Sequence, residues 1–205
     1  MILEGFADLA ENVIAPLYQS GDAEGCHFKD GEVTTPKGFK EAYEQFAQGG
    51  WQGIAYPEQY GGMALPMSLN LIKSEMLGTA NWSFAMYPGL SLGAVNTILE
   101  YGTTEQKDLY LPKLVTGEWS GTMCLTEAQC GTDLNQMKTS AKPNDDGTYA
   151  INGSKIFISA GEHDLTDNIV HVVLARLPDA PAGTKGISLF IVPKFLADSD
   201  GNMGK

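Results

Sequence analysis

Apolar positions at the start of the chain recur at helical spacing. Ile2, Leu3, Phe6, Leu9, Ala10, Val13, Ile14 and Leu17 make one stripe, which predicts an amphipathic helix. Gly21 to Thr35 is polar with scattered glycine and reads as loop. Thr35-Pro36 has the form of a helix start, a capping hydroxyl followed by proline at the first helical position. Phe39, Ala42, Tyr43 and Phe46 supply that helix's buried face, and Gly49-Gly50 end it. Trp51 to Pro66, rich in glycine, proline and aromatics, reads as a packed loop. Leu71 and Met76 predict a helix over Met67 to Leu77. Leu92, Val95, Ile98 and Leu99 predict the next, stopped by Gly102. Thr103 to Gln106 fits a capping box opening a short helix, and Pro112 restarts the chain into another turn ending near Gly117.

After Gly117 the period changes to short β-rich runs. These are Trp119–Leu125, Met137–Lys142, Tyr149–Ile151, Lys155–Ser159, Ile169–Ala175 and Ile187–Val192. Asn152-Gly153 between two of them is a hairpin signal, because both turn positions need positive φ. The pattern predicts an α+β chain: a helical domain over 1–118, then an antiparallel β-barrel or sandwich over 119–205. Ala197 to Asn202 reads as loop with no closing element after it, so the β domain is expected to be incomplete.

The net charge of −12 argues against nucleic-acid binding and against an anionic membrane surface. It does not oppose a phosphate-bearing ligand, which backbone N–H groups can hold. Cys26, Cys124 and Cys130 are too few and odd in number for a disulfide framework, which fits a reducing compartment. Without a membrane-length apolar run or a signal-like start, the expected location is the cytoplasm.

No dinucleotide fingerprint, P-loop or metal-ligand spacing is present. Gly89-Leu90-Ser91-Leu92-Gly93 matches the G-x-S-x-G nucleophile elbow, and Asp133 and His163 follow in triad order. A serine hydrolase using Ser91 is therefore one reading. Pro88 before the motif and the antiparallel pattern after it oppose that reading and favour a glycine-rich helix start. A second segment, Met123 to Asp133, runs from a strand end into a loop with Gly131 and the hydroxyls of Thr126 and Thr132. It reads equally as a ligand-meeting loop or as a polar loop in which Asp133 caps the next turn. A third, Lys155 to Gly161, alternates Phe157 and Ser159 with Ile156 and Ile158. That strand face suits a flat heteroaromatic ligand, or equally a core phenylalanine beside a strand-end serine.

Together and in this order the segments resemble the acyl-CoA dehydrogenase family. Its middle domain carries a C-V-T-E-P-x-x-G-S-D loop and, beyond a hairpin, a K-x-W-I-T-N-G strand. Cys124 to Asp133 and Lys155 to Gly161 stand in those places, linked by Tyr149-Ala150-Ile151-Asn152-Gly153-Ser154-Lys155, which is similar to Y-x-I-N-G-x-K. Pro57-Glu58-Gln59-Tyr60-Gly61-Gly62 looks like P-E-x-Y-G-G, and Gly102 to Lys107 with Tyr110-Leu111-Pro112 looks like the family's G-(S/T)-x-E-Q-K-x-x-Y-L-P. Lys185 to Lys194 resembles the larger bacterial members, the 3-methylmercaptopropionyl-CoA dehydrogenases among them.

The resemblance implies an FAD-dependent enzyme oxidising an acyl-CoA thioester to the 2,3-enoyl-CoA. It implies an electron-transfer flavoprotein or similar acceptor, and an oligomer of identical chains. Met123, Leu125 and Thr126 would meet the pyrimidine edge of the flavin. Gly131 and Thr132 would lie near its phosphates, with Thr132 also near the substrate. Phe157 would stand against the ring face, followed by Ile158, with the Ser159 hydroxyl near flavin N5. Ala128 in place of proline departs from the pattern. The family's catalytic base, a glutamate in a C-terminal helical domain, is expected beyond this chain, so no catalytic residue is assigned. A non-catalytic binding module of the same fold is the remaining alternative.

Overall fold

A computed structural model describes residues 1–198 together with Gly201, Met203 and Gly204. Ser199, Asp200 and Asn202 of the expected C-terminal loop lie outside the described residues.

The first stripe forms not one helix but α1 (Ile2–Leu9), a π turn (Ala10–Ile14) and α2 (Leu17–Glu24). Pro16 explains the break, since it brings no N–H and its ring displaces a carbonyl one turn back. The Ala15 N–H instead reaches Ala10 O at 2.8 Å, a wider turn that keeps Phe6, Ala10 and Ile14 buried on one side. Part of the expected 21–35 loop is thus helix, and the rest is an exposed hairpin, β1 (His27–Lys29) with β2 (Glu32–Thr34). Its turn, Asp30-Gly31, has φ of 53° and 91°, the positive values a two-residue hairpin turn requires.

Thr35 does not cap the next helix. Its N–H and hydroxyl both donate to Asp164 Oδ1, at 3.0 and 2.8 Å, joining the helical part to the sheet part. Helix α3 (Phe39–Gln48) starts after Gly38, and α4 spans Met67–Ala80. Helix α5 (Trp82–Tyr101) begins earlier than expected, because Asn81 accepts from Phe84 N and caps it. It runs through Pro88, so Gly89 to Gly93 lies inside a helix and no strand precedes it. Thr103 and Gln106 form the full capping box of α6 (Thr104–Thr116), which runs through Pro112 and ends at Gly117 in a left-handed conformation.

The sheet is open and mixed, which corrects the expected antiparallel barrel or sandwich. β6 (Asn168–Arg176) is central, with β3 (Trp119–Cys124) parallel along one edge and β7 (Ile187–Pro193) antiparallel along the other. Below β3 the hairpin of β4 (Ser140–Pro143) and β5 (Tyr149–Asn152) joins β6 through the single pair Ser140↔Arg176. The β4–β5 turn falls at residues 144–148, not at Asn152-Gly153. Lys155–Ser159 is not a strand among the described residues. β6 is apolar on both faces because both are covered. Its Val170 packs with Val95, Ile98, Leu111, Leu114 and Val115 of α5 and α6.

Ser91 lies where α5 meets β3. It is fully buried, donates to Tyr87 O, and accepts from Gly121 N at 2.9 Å. A side chain at Gly121 would come within 2.5 Å of Ala94 Cβ, so helix and strand approach to backbone distance. This geometry removes the hydrolase reading: the hydroxyl is spent on packing and lies away from solvent.

Ser91→Ala leaves the Gly121 N–H buried without an acceptor and is expected to cost about 2 kcal/mol in urea denaturation. The wild-type protein is expected to resist labelling by a serine-reactive phosphonate.

Candidate functional site

The chain leaves β6 at Cys124 and rejoins it at Ser140, so the segment between is an excursion loop with both ends on one strand. Glu127 holds the loop's shape and is 4% exposed. Its Oε1 accepts from Thr139 N (3.0 Å), Thr139 Oγ1 (2.6 Å) and Lys155 Nζ (2.9 Å). Its Oε2 accepts from Lys138 N (2.8 Å) and Gln129 Nε2 (2.6 Å). Reciprocal backbone bonds between Glu127 and Cys130 close a tight turn around it. Burial by itself would raise the carboxyl's pKa. The bonds from Thr139, Lys138 and Lys155 outweigh burial and hold it well below the usual carboxylate range. Arg176 pins the far half of the loop, donating to Met137 O and Leu134 O.

The loop's near edge is tied to the segment after β5. Lys155 Nζ donates to Leu125 O at 3.1 Å, and Ile156 N donates to Thr126 O at 3.0 Å. The side chains of Met123 and Leu125 pack on buried Cys130, Met137 and Leu174. Thr126 is half-buried and its hydroxyl has no partner among the described residues. Gly131 sits against it, its Cβ position 3.6 Å from Thr126 Cγ2, and Thr132 is exposed. Asp133 caps the turn Leu134–Gln136.

Leu125, Thr126, Gly131, Lys155 and Ile156 are therefore brought together, with Phe157 next in the chain. Phe157 is 88% exposed at φ 55°, a left-handed conformation that costs a residue with Cβ about 1–2 kcal/mol. Ala160 shares that φ, and Ser159 is exposed. The expected strand face shared by Phe157 and Ser159 does not exist, because the backbone turns there rather than alternating. A cleft of about 840 Å³ between the α5–α6 end and β7 includes none of the sequence-predicted site residues in its lining.

One cluster went unnoticed in the sequence. His163 is buried and accepts from Leu165 N through Nδ1, so Nε2 carries the ring proton and donates to Ser120 Oγ at 3.0 Å. Thr166 Oγ1 lies 3.1 Å from Ser120 Oγ and donates to Asn168 O. An imidazole in that tautomer cannot take the Ser120 proton, so this is a structural link and not a nucleophile–base pair. Only the chain's folding brings Ser120 to His163; no local pattern could have signalled it.

Family models for the acyl-CoA dehydrogenase N-terminal domain and middle domain match residues 1–118 and 122–202. The chain is 50% identical over 199 residues to the 3-methylmercaptopropionyl-CoA dehydrogenase of Ruegeria pomeroyi, covering 97% of this chain and 34% of that protein. Among solved structures it is similar to butyryl-CoA dehydrogenase from Megasphaera elsdenii (31% identity, TM-score 0.75, 94% of this chain and 48% of that one). It is also similar to a Bacillus anthracis acyl-CoA dehydrogenase complexed with FAD (29% identity, TM-score 0.74, 95% and 30%). The chain thus spans about a third of the length of the curated relatives it matches.

Burial pushes the His163 pKa down to about 4, against the smaller opposing effect of Glu162 and Asp164. The unfolded chain then takes up a proton before the folded one as pH falls. The stability present above about pH 6.5 is lost towards pH 4, by about 3 kcal/mol from this group. Urea midpoints across that range are expected to fall, and to fall less in His163→Gln. Glu127→Ala, which strands Lys155 without its carboxylate, is expected to cost about 3–5 kcal/mol in the same assay at pH 7.

Proposed function

This chain belongs to the acyl-CoA dehydrogenase family, and from that premise we propose that it is the FAD-holding part of an enzyme that oxidises an acyl-CoA thioester to the 2,3-enoyl-CoA. The observation that carries the reading is the Leu125–Thr126 edge fastened against Lys155–Ile156, with the bare ring of Phe157 directly beyond. The residues present fit a flavin. The Thr126 and Ser159 hydroxyls have no partners among the described residues, and an unpacked aromatic face stands beside them. Met123 and Leu125 would serve through their backbone, since their side chains are packed away. Gly131 and Thr132 would offer neutral donors to phosphates, with Thr132 also near the substrate. Ile158 would support the Phe157–Ser159 turn.

FAD, when bound, supplies the two-electron acceptor. The chain's own residues bind and orient it. Glu127 is unsuited to remove the substrate's α-proton, because its bonds hold it ionised at a pKa far too low for a base near neutral pH. Glu162 is paired with Lys194 at 2.7 Å. We therefore assign no base to this chain. The helical part would be residues 1–118 and the sheet part 119–205. An electron-transfer flavoprotein or similar acceptor, an assembly of identical chains and a cytoplasmic location complete the reading. Among the described residues no helix is long and apolar enough to cross a membrane. The first acyl group to assay is 3-methylmercaptopropionyl.

The chain by itself is expected to bind FAD weakly and to turn over no acyl-CoA. NMR titration with FAD to millimolar concentration is expected to shift the Thr126, Phe157 and Ser159 signals first. No shift at these residues would overturn the flavin reading.

A further inference from the structure

Lys155 has two acceptors, and they are of different kinds. One is the Glu127 carboxylate at 2.9 Å, and the other is the neutral carbonyl of Leu125 at 3.1 Å. Its side chain is 10% exposed, so both bonds are shielded from water. Pairing with Glu127 explains why a buried ammonium is tolerated. It does not explain the second bond. Glu127 also draws donors from Thr139, Lys138 and Gln129 onto both its oxygens, so it does not depend on Lys155 alone.

The second bond has a geometric consequence. The carbonyl of Leu125 and the N–H of Thr126 belong to one trans peptide and point in opposite directions. With the carbonyl held by Lys155, the Thr126 N–H points away from that side. The next carbonyl, Thr126 O, is taken by Ile156 N. Both carbonyls of the edge thus face segment 155–156, and the Thr126 N–H and hydroxyl are left without partners among the described residues. A flavin's pyrimidine edge carries carbonyl oxygens that need such donors.

We propose that Lys155 is a positioning residue for the flavin, aiming the Thr126 amide at the ring edge by holding the Leu125 carbonyl. The proposal rests on the flavin reading. It assigns Lys155 a role beyond charge pairing, and the two roles separate when Glu127→Gln, which removes the charge pair and disturbs the carboxylate's other donors but keeps the Lys155–Leu125 bond, is compared with the double variant Glu127→Gln/Lys155→Met. That variant leaves no buried charge unpaired, yet frees the Leu125 carbonyl.

The experiment is FAD titration of the whole chain and its variants, read by NMR and by flavin absorption. The double variant is expected to keep the wild-type circular dichroism and to shift the Thr126 amide signal before any flavin is added. Its FAD affinity is expected to fall about tenfold below that of Glu127→Gln, with loss of the bound-flavin band shape. Lys155→Arg, which keeps a donor for the Leu125 carbonyl, is expected to recover most of the affinity. Affinity and band shape in the double variant equal to those of Glu127→Gln would overturn the Lys155 assignment and leave the flavin reading standing. Absence of FAD-induced shifts in the wild type would remove the flavin reading, and this proposal with it. Should the double variant not fold, Lys155→Met, which has no donor, decides against Lys155→Arg by the same readouts.

Discussion

A buried carboxylate must find donors, and the ones Glu127 finds come from three parts of the chain. Gln129 belongs to its own loop, Lys138 and Thr139 to the approach to β4, and Lys155 to the segment after β5. Leaving any of these unmet in the interior would cost far more than ordering the loop. Glu127 therefore fixes where the excursion loop lies relative to segment 155–156. The β4–β5 hairpin touches β6 through one residue pair, so the sheet ladder could not fix that relation alone. The absence of proline at Ala128 is accommodated for the same reason: the turn is held by the carboxylate and the Glu127–Cys130 backbone bonds.

The same logic joins the helices to the sheet. Apolar packing brings α5 and α6 onto β3 and β6, but packing is not directional. Direction comes from two polar links, Ser91 with Gly121 and Thr35 with Asp164. Each sits where a mismatch would bury an unpaired group. They make the boundary between the two parts a continuous packed surface, with Leu165 from the sheet part inside the helical core.

Against this rigid frame, the Phe157–Ala160 segment stands out. Two residues with Cβ hold positive φ there, and a large aromatic ring faces solvent. Strain and apolar exposure kept together in one short segment, beside unpaired hydroxyls, are features that sites for flat ligands display. The cleft between the α5–α6 end and β7 lacks that combination.

The amino-acid sequence alone determined the order of helices then strands, the Thr103–Gln106 cap, the central apolar run of β6 and the segments that carry the family pattern. Those signals are local: periodicity, a capping side chain, a run of β-branched residues. It misled at Pro88 and Pro112, where neighbouring packing outweighs the missing N–H, and at Asp30-Gly31, where an exposed hairpin lacks the alternation that would mark it. It misled again at Lys155–Ser159, where strand-like alternation is overridden because Lys155 and Ile156 bond to the Leu125–Thr126 edge. Parallel pairing of β3 with β6, the meeting of Ser120 with His163 and the gathering of donors on Glu127 join residues far apart in the chain. No local pattern encodes such pairs; only the need to satisfy buried polar groups in the folded chain selects them.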